Sequence, residues 1–149
     1  MVLILIEFIE SIVGTDFIFK DNQKKDKYSH DETEDLKYIP SLVVLPENTE
    51  QISRILTYCN NNNIPVTARG AGSGLAGGAL PVNGGIVLSL ERLNIIIDID
   101  ERNLQVTVEP VVITEVLQNA VKEKGLFYPP DPASRSFCFI GGNISTNAG

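Results

Sequence analysis

Apolar side chains recur at helical spacing from the start of the chain. Leu5, Phe8, Ile9, Ile12 and Val13 fall on one face, with Glu7, Glu10 and Ser11 opposite. This periodicity predicts an amphipathic surface helix, and Gly14 is placed to end it. The run is too short to span a bilayer, lacks a basic segment ahead of it and is broken by two acids, so it is read neither as a signal peptide nor as a membrane span. Residues 20–37 are the most polar stretch and read as a solvated linker, or as a loop tied down at one or two points. Residues 1–39 are therefore expected to form an N-terminal helix and polar linker, set apart from residues 40–149.

After Pro40 strand-like and helix-like segments alternate. Ser41–Leu45 is a short apolar strand closed by Pro46, and Asn48 with Gln51 has the spacing of a capping box. Ile52, Ile55, Leu56 and Cys59 predict the inner stripe of a helix that Asn60 to Asn63 end. Ile64–Arg69 is a second strand, giving a β-α-β unit long enough for a parallel pair. Ile86–Leu90, Ile95–Ile99 and Leu104–Val108 are three more strands with little room for helices between them, and Asp100 to Asn103 predict a hairpin turn. Thr114 is expected to cap a helix carrying Val116, Leu117, Ala120 and Val121 inward, with Gly125 ending it. From Tyr128 onward the chain reads as loop. The fold class is α+β, a small mixed sheet with flanking helices, rather than a doubly wound parallel sheet.

Composition narrows the function. With 149 residues, 43% of them hydrophobic, the chain suits one domain with a real core. Nineteen acids against twelve bases give a net charge of −7, which repels phosphate backbones and argues against nucleic-acid binding. One histidine (His30) and two cysteines (Cys59 and Cys138) are too few for a zinc cluster or a disulfide framework, and they suit a reducing, cytoplasmic setting. His30 lies in the polar stretch and reads as exposed and idle.

The strongest chemical signal follows the second strand. Arg69-Gly70-Ala71-Gly72-Ser73-Gly74-Leu75-Ala76-Gly77-Gly78 places five glycines in nine positions. Missing Cβ atoms let a ligand reach the main chain, and φ > 0 conformations can turn successive N–H groups toward one point. Such a nest holds phosphate oxygens without a positively charged protein. Gly72, Gly74 and Gly77 fit Gly-x-Gly-x-x-Gly, but Ala79–Gly85 cannot open the long helix that a Rossmann site requires. Arg69 is open to two readings, a phosphate partner or a prop under the loop. A second Gly-rich segment, Phe139 to Gly149, mixes small residues with Asn, Ser and Thr; ahead of it, Pro130-Asp131-Pro132 stiffens one carboxylate, read either as a hydroxyl acceptor or as a turn aspartate.

These residues together resemble a family. Tyr28-Ser29-His30-Asp31, Pro40 to Pro46, Arg69 to Pro81, Val108-Glu109-Pro110, Tyr128 to Pro132 and Ile140 to Gly149 are similar to the N-terminal FAD-binding portion of the glycolate oxidase / D-lactate dehydrogenase flavoproteins, of the vanillyl-alcohol-oxidase type. The resemblance implies the PCMH-type FAD-binding fold, with the first Gly loop around the FAD diphosphate and the later segments near the ribityl chain and flavin. The cofactor-binding residues it implies are Arg69, Gly70, Ala71, Gly72, Ser73, Gly74, Gly78, Pro130, Asp131, Ser134, Gly141, Gly142, Asn143, Thr146, Asn147 and Gly149. It also implies oxidation of a 2-hydroxy acid by hydride transfer to the flavin, with an iron–sulfur subunit as electron acceptor.

Three departures from the family pattern qualify those expectations. Ser73 and Gly74 stand where some relatives carry a flavin-tethering histidine, so FAD is expected to be bound non-covalently; Cys138 reads as a small buried thiol. Val111 replaces a glycine after Glu109-Pro110, which is expected to alter that turn and loosen the sheet nearby. The chain stops at Gly149, inside the second Gly segment, so it is expected to be a truncated, N-terminal part of the enzyme, inactive by itself, with no catalytic residue or metal ligand. The alternative is a non-catalytic half-domain that completes its fold against another chain. Either way, exposed apolar faces are expected.

Overall fold

The structure, a computed structural model, describes residues 2–148, so that Gly149 and any role for it lie outside the described residues. The chain divides into two compact units, Met1–Arg92 and Leu93–Gly149.

The first unit is built on a four-stranded sheet of β1 (Ile18–Phe19), β2 (Leu42–Val44), β3 (Val66–Arg69) and β4 (Ile86–Ser89), in the order β1-β2-β4-β3. β2 and β3 both run parallel to β4, and β1 pairs antiparallel with β2. The expected β-α-β unit is therefore present, with β4 lying between its two strands. On one face, α1 (Val2–Val13) and α3 (Thr49–Asn61) bury Leu5, Ile9, Ile12, Ile55 and Cys59 against Leu42, Val44, Ile86 and Leu88. On the other, Val43, Leu45 and Val87 pack with Tyr28, so the central strands are apolar on both sides.

Local chemistry sets the helix ends. Gly14, at φ +85, ends α1, and its N–H donates to Glu10 O at 2.9 Å. Asn48 Oδ1 accepts from Gln51 N at 2.9 Å, whereas Gln51 Oε1 accepts from Glu47 N rather than from the cap residue itself. Leu56, expected on the inner stripe of α3, is exposed; the buried stripe is Ile55 and Cys59, with Ile52 partly covered.

Residues 20–37 are not a free linker. Within them α2 (Asn22–Asp26) is capped by Asp21, and Lys25, Tyr28, Ser29 and Asp31 are buried. Polar heads make these contacts, with Lys25 Nζ donating to Ser41 O at 3.2 Å and Tyr28 OH to Glu91 Oε1 at 2.8 Å. A polar composition conceals such packing because the stems are covered while the tips find partners.

The second unit pairs β5 (Ile96–Asp100) with β6 (Gln105–Val108) in the expected antiparallel hairpin. Asp100 Oδ1 accepts from the N–H groups of Arg102 and Asn103, closing the turn. An irregularity between Ile96 and Asp98 breaks the alternation of β5, so that Ile96 and Ile99 meet the core while Ile95 and Ile97 face solvent. α4 (Thr114–Glu123) buries Leu117 and Val121 and leaves Val116 exposed, contrary to its expected inward place. Thr114 is the first helical residue rather than the cap, and its hydroxyl is buried and used elsewhere. Val111 introduces no left-handed backbone: it is buried, and its N–H donates to Leu93 O at 2.8 Å, so the turn accepts a β-branched residue.

The second Gly-rich segment is not a loop. Ile140–Thr146 forms α5, ended by Asn147 at φ +52. A Cβ on Gly141 would lie 2.7 Å from Pro110 Cβ and 3.0 Å from Pro110 O. Close approach of the helix to that turn is the physical reason a poor helix former sits in its first turn.

Another glycine in the first unit is also held by close approach. Gly85, at φ +76, would place a Cβ 2.1 Å from Pro65 O, where β4 starts beside β3. Gly85→Ala is expected to destabilise the protein by about 3 kcal/mol through overpacking and a strained φ, read as a lower urea midpoint.

Candidate functional site

β3 ends at Arg69, and the chain then crosses the sheet edge as the irregular segment Gly70–Gly85 without opening a helix. Among the described residues, none of the main-chain N–H groups from Gly70 to Ala76 has a hydrogen-bond partner. Gly72 and Gly77 adopt φ +73 and +68, while Gly74 and Gly78 have nothing within 4 Å of where a Cβ would stand. Seven successive donors without partners, on a half-exposed loop lacking bulk at its glycines, form a surface suited to an anion with several acceptor oxygens.

The structure places Arg69 against main-chain carbonyls. The residue is buried beneath the loop, with Nη2 donating to Lys27 O at 3.2 Å and Nη1 to Ala79 O at 3.5 Å. Its guanidinium lies 5.9 Å from the Tyr28 ring centroid, and a Cβ on Gly72 would fall 2.2 Å from Nη2. Arg69 is thus a prop for the loop. Burial lowers its pKa from the usual arginine value, opposed by the charges of Asp31 and Glu91 and by Tyr28.

Residues the sequence did not single out surround this prop. Glu32 N donates to Gly74 O at 3.2 Å, and Thr33 Oγ1 accepts from Gly77 N at 2.8 Å. Asp31 Oδ1 accepts from Thr33 N at 2.9 Å; Asp31 Oδ2 and Ser89 Oγ are buried without partners. The only hint was that Tyr28 to Asp31 belonged to the quoted resemblance. His30, beside them, is exposed.

The remaining expected residues lie in the second unit, and several are committed internally. Asn143 is buried and its Nδ2 donates to Thr114 Oγ1 at 2.6 Å, which itself lies 3.3 Å from Cys138 Sγ. Thr146 Oγ1 bonds back to Gly142 O at 3.0 Å. Asp131 pairs with Arg135 Nη1 at 3.2 Å, an exposed ion pair of small energetic value. Pro130 O accepts from Gln118 Nε2 at 2.9 Å, and Ser134 O accepts from Phe137 N and Cys138 N. Gly142 and Asn147 are exposed. A cavity of about 280 Å³ lined by Ile99, Val106, Val121, Leu126 and Tyr128 contains none of the expected site residues.

The same fold occurs in solved proteins of low sequence identity. The structure matches alkyldihydroxyacetonephosphate synthase with a TM-score of 0.86 at 19% identity, covering 97% of this chain and 31% of that one. It matches substrate-bound p-cresol methylhydroxylase with a TM-score of 0.85 at 23% identity, covering 99% and 30%. Residues 40–149 match the family described as FAD binding domain, and the chain belongs to that family. It is 49% identical to the glycolate oxidase subunit GlcD of Bacillus subtilis over 122 residues, covering 82% of this chain and 26% of the relative. It is 36% identical to D-lactate dehydrogenase of Anaerostipes hadrus over 146 residues, covering 97% and 30%. The chain thus spans between about a quarter and a third of these relatives' length.

The polar cluster under the loop has a titration signature. Burial, then the hydrogen bond to Glu91 and its charge, raise the pKa of Tyr28 above the ordinary 10.0. Stability from the neutral phenol is complete below that value and is lost as the pH climbs through the raised one. In an alkaline ultraviolet titration a tyrosine signal that ionises above the ordinary range is expected to vanish in Tyr28→Phe, and its persistence in that variant would contradict the assignment.

Proposed function

We propose that this chain is the FAD-binding portion of a flavin-dependent oxidoreductase acting on a 2-hydroxy acid, glycolate or D-lactate. The run of unpartnered N–H groups from Gly70 to Ala76 carries the cofactor assignment, because neutral donors suit a diphosphate on a chain of net charge −7. The substrate class rests on the GlcD and D-lactate dehydrogenase relatives.

In this reading Gly70, Ala71, Gly72, Ser73, Gly74 and Gly78 face the diphosphate, and Arg69 holds their main chain from beneath. In the second unit, the family resemblance implies Pro130, Asp131, Ser134, Gly142 and Asn147 as cofactor-binding residues. Asn143 and Thr146, whose side chains are engaged inside the unit, contribute through the main chain, and Gly141 through its closeness to Pro110. FAD, when bound, supplies a two-electron acceptor for the hydrogen that leaves the substrate α-carbon as hydride. Binding is non-covalent, since the loop has no histidine and Cys138 is buried. This chain supplies no general base. An iron–sulfur subunit receives the electrons, and the enzyme works in the cytoplasm.

A second reading is a non-catalytic half-domain that completes its fold with another chain. It is favoured by the exposure of Ile95, Ile97, Phe127, Phe137 and Ile144 in the second unit.

Gly74→Val places bulk where nothing lies within 4 Å and where the backbone φ is not positive. It is expected to weaken FAD binding about tenfold or more in a fluorescence titration while the melting temperature of the FAD-free protein stays constant. Unchanged affinity would remove the diphosphate from this loop. In the complete enzyme, glycolate or D-lactate added without oxygen is expected to bleach the flavin absorbance, and failure of both would overturn the substrate class.

A further inference from the structure

A loop that grips an anion must do more than lack side chains. Its N–H groups must face outward and its carbonyl oxygens must be turned away, because a carbonyl in the cradle repels the ligand as strongly as an amide attracts it. A run of glycines has no intrinsic reason to prefer that arrangement. Something outside the loop has to impose it.

We propose that Thr33 is a positioning residue for the FAD diphosphate, acting with the Glu32 main chain as a clasp that fixes which way the Gly74–Gly77 main chain points. The inference rests on reading Gly70–Ala76 as the diphosphate cradle. Glu32 N–H takes the carbonyl of Gly74 at 3.2 Å, removing that oxygen from the cradle. Thr33 Oγ1 takes the N–H of Gly77 at 2.8 Å, and Gly77 O accepts from Leu80 N at 3.1 Å, so the two peptides flanking Gly77 are each held by one bond. Only Leu75 and Ala76 lie between the two pinned positions, and both are exposed. Thr33 is itself held by its N–H, which donates to the buried carboxylate of Asp31 at 2.9 Å. Arg69 packs so closely under Gly72 that a Cβ there would meet its guanidinium, and its Nη1 donates to Ala79 O beyond the clasp.

The N-terminal segment therefore spends the conformational entropy of the loop before the ligand arrives. Every hydrogen bond in the clasp uses a main-chain group of the loop, which is why it tolerates a loop with almost no side chains.

The test compares Thr33→Val, Thr33→Ser and Gly74→Val by FAD titration, alongside melting of the FAD-free proteins. Thr33→Val is expected to raise the FAD dissociation constant about five- to tenfold at unchanged melting temperature, with Thr33→Ser restoring it to within about twofold. Wild-type affinity in Thr33→Val, no rescue by Thr33→Ser, or a loss of affinity matched by a loss of melting temperature would each overturn the clasp. If Gly74→Val leaves FAD binding intact, the cradle reading itself has failed; if Gly74→Val weakens it and Thr33→Val does not, only the clasp has failed. Amide exchange in the FAD-free wild type gives a readout independent of any variant's folding. Gly77 N–H is expected to exchange slowly beside fast N–H groups from Gly70 to Ala76, and equally fast exchange at Gly77 would overturn the inference.

Discussion

A main-chain amide with no partner is tolerated only where something else can satisfy it, and the first unit holds seven of them in succession at the end of β3. The elements around them serve to keep that state ordered. The parallel pairing of β3 with β4 fixes where the loop begins, and the contact of Gly85 with Pro65 fixes where β4 starts. Arg69 fills the space beneath with a charged group, two of whose N–H donors bond Lys27 O and Ala79 O. Burying a guanidinium is costly unless its donors are used and a counter-charge is near, and Asp31 and Glu91 supply the latter. Without Arg69 the loop would have no floor, and without the loop Arg69 would have no cover.

The second unit solves a different problem by related means. α5 approaches the turn after β6 so closely that only glycine fits at position 141, and the buried contact between Asn143 and Thr114 fixes the helix against α4. The side chains of Asn143 and Thr146 are hydrogen-bonded within the unit, while Gly142 and Asn147 are exposed.

Much of this was legible in the sequence, for identifiable reasons. β2, β3, β4 and the β5–β6 hairpin follow from apolar runs and alternation, and α1, α3 and α4 from helical spacing with recognisable stops at Gly14, at Asn60 to Asn63, where Asn63 is left-handed, and at Gly125. β1 escaped because two residues carry no period. The packing of residues 20–37 escaped because its buried contacts are made by Lys25, Tyr28 and Asp31, whose polarity signals solvent. α5 escaped because Gly141 and Gly142 penalise a helix locally, and only the distant Pro110 explains one of them. The exposure of Leu56 and Val116 shows the limit of spacing, which gives a stripe without its exact edges. At the site, the glycine loop was visible; the orientation of Arg69 and the bonds from Glu32 and Thr33 were not, since they join segments more than forty residues apart.

The neutrality of the cradle has a consequence for how the protein responds to its surroundings. Contacts built from lysine and arginine heads weaken steeply as ionic strength rises, because mobile ions compete for both partners. Peptide dipoles at the end of β3 have no counterions to release. On the proposed reading, salt therefore weakens the grip on FAD less than it would a site built from lysine and arginine, and it also screens the repulsion from the seven excess negative charges of the protein.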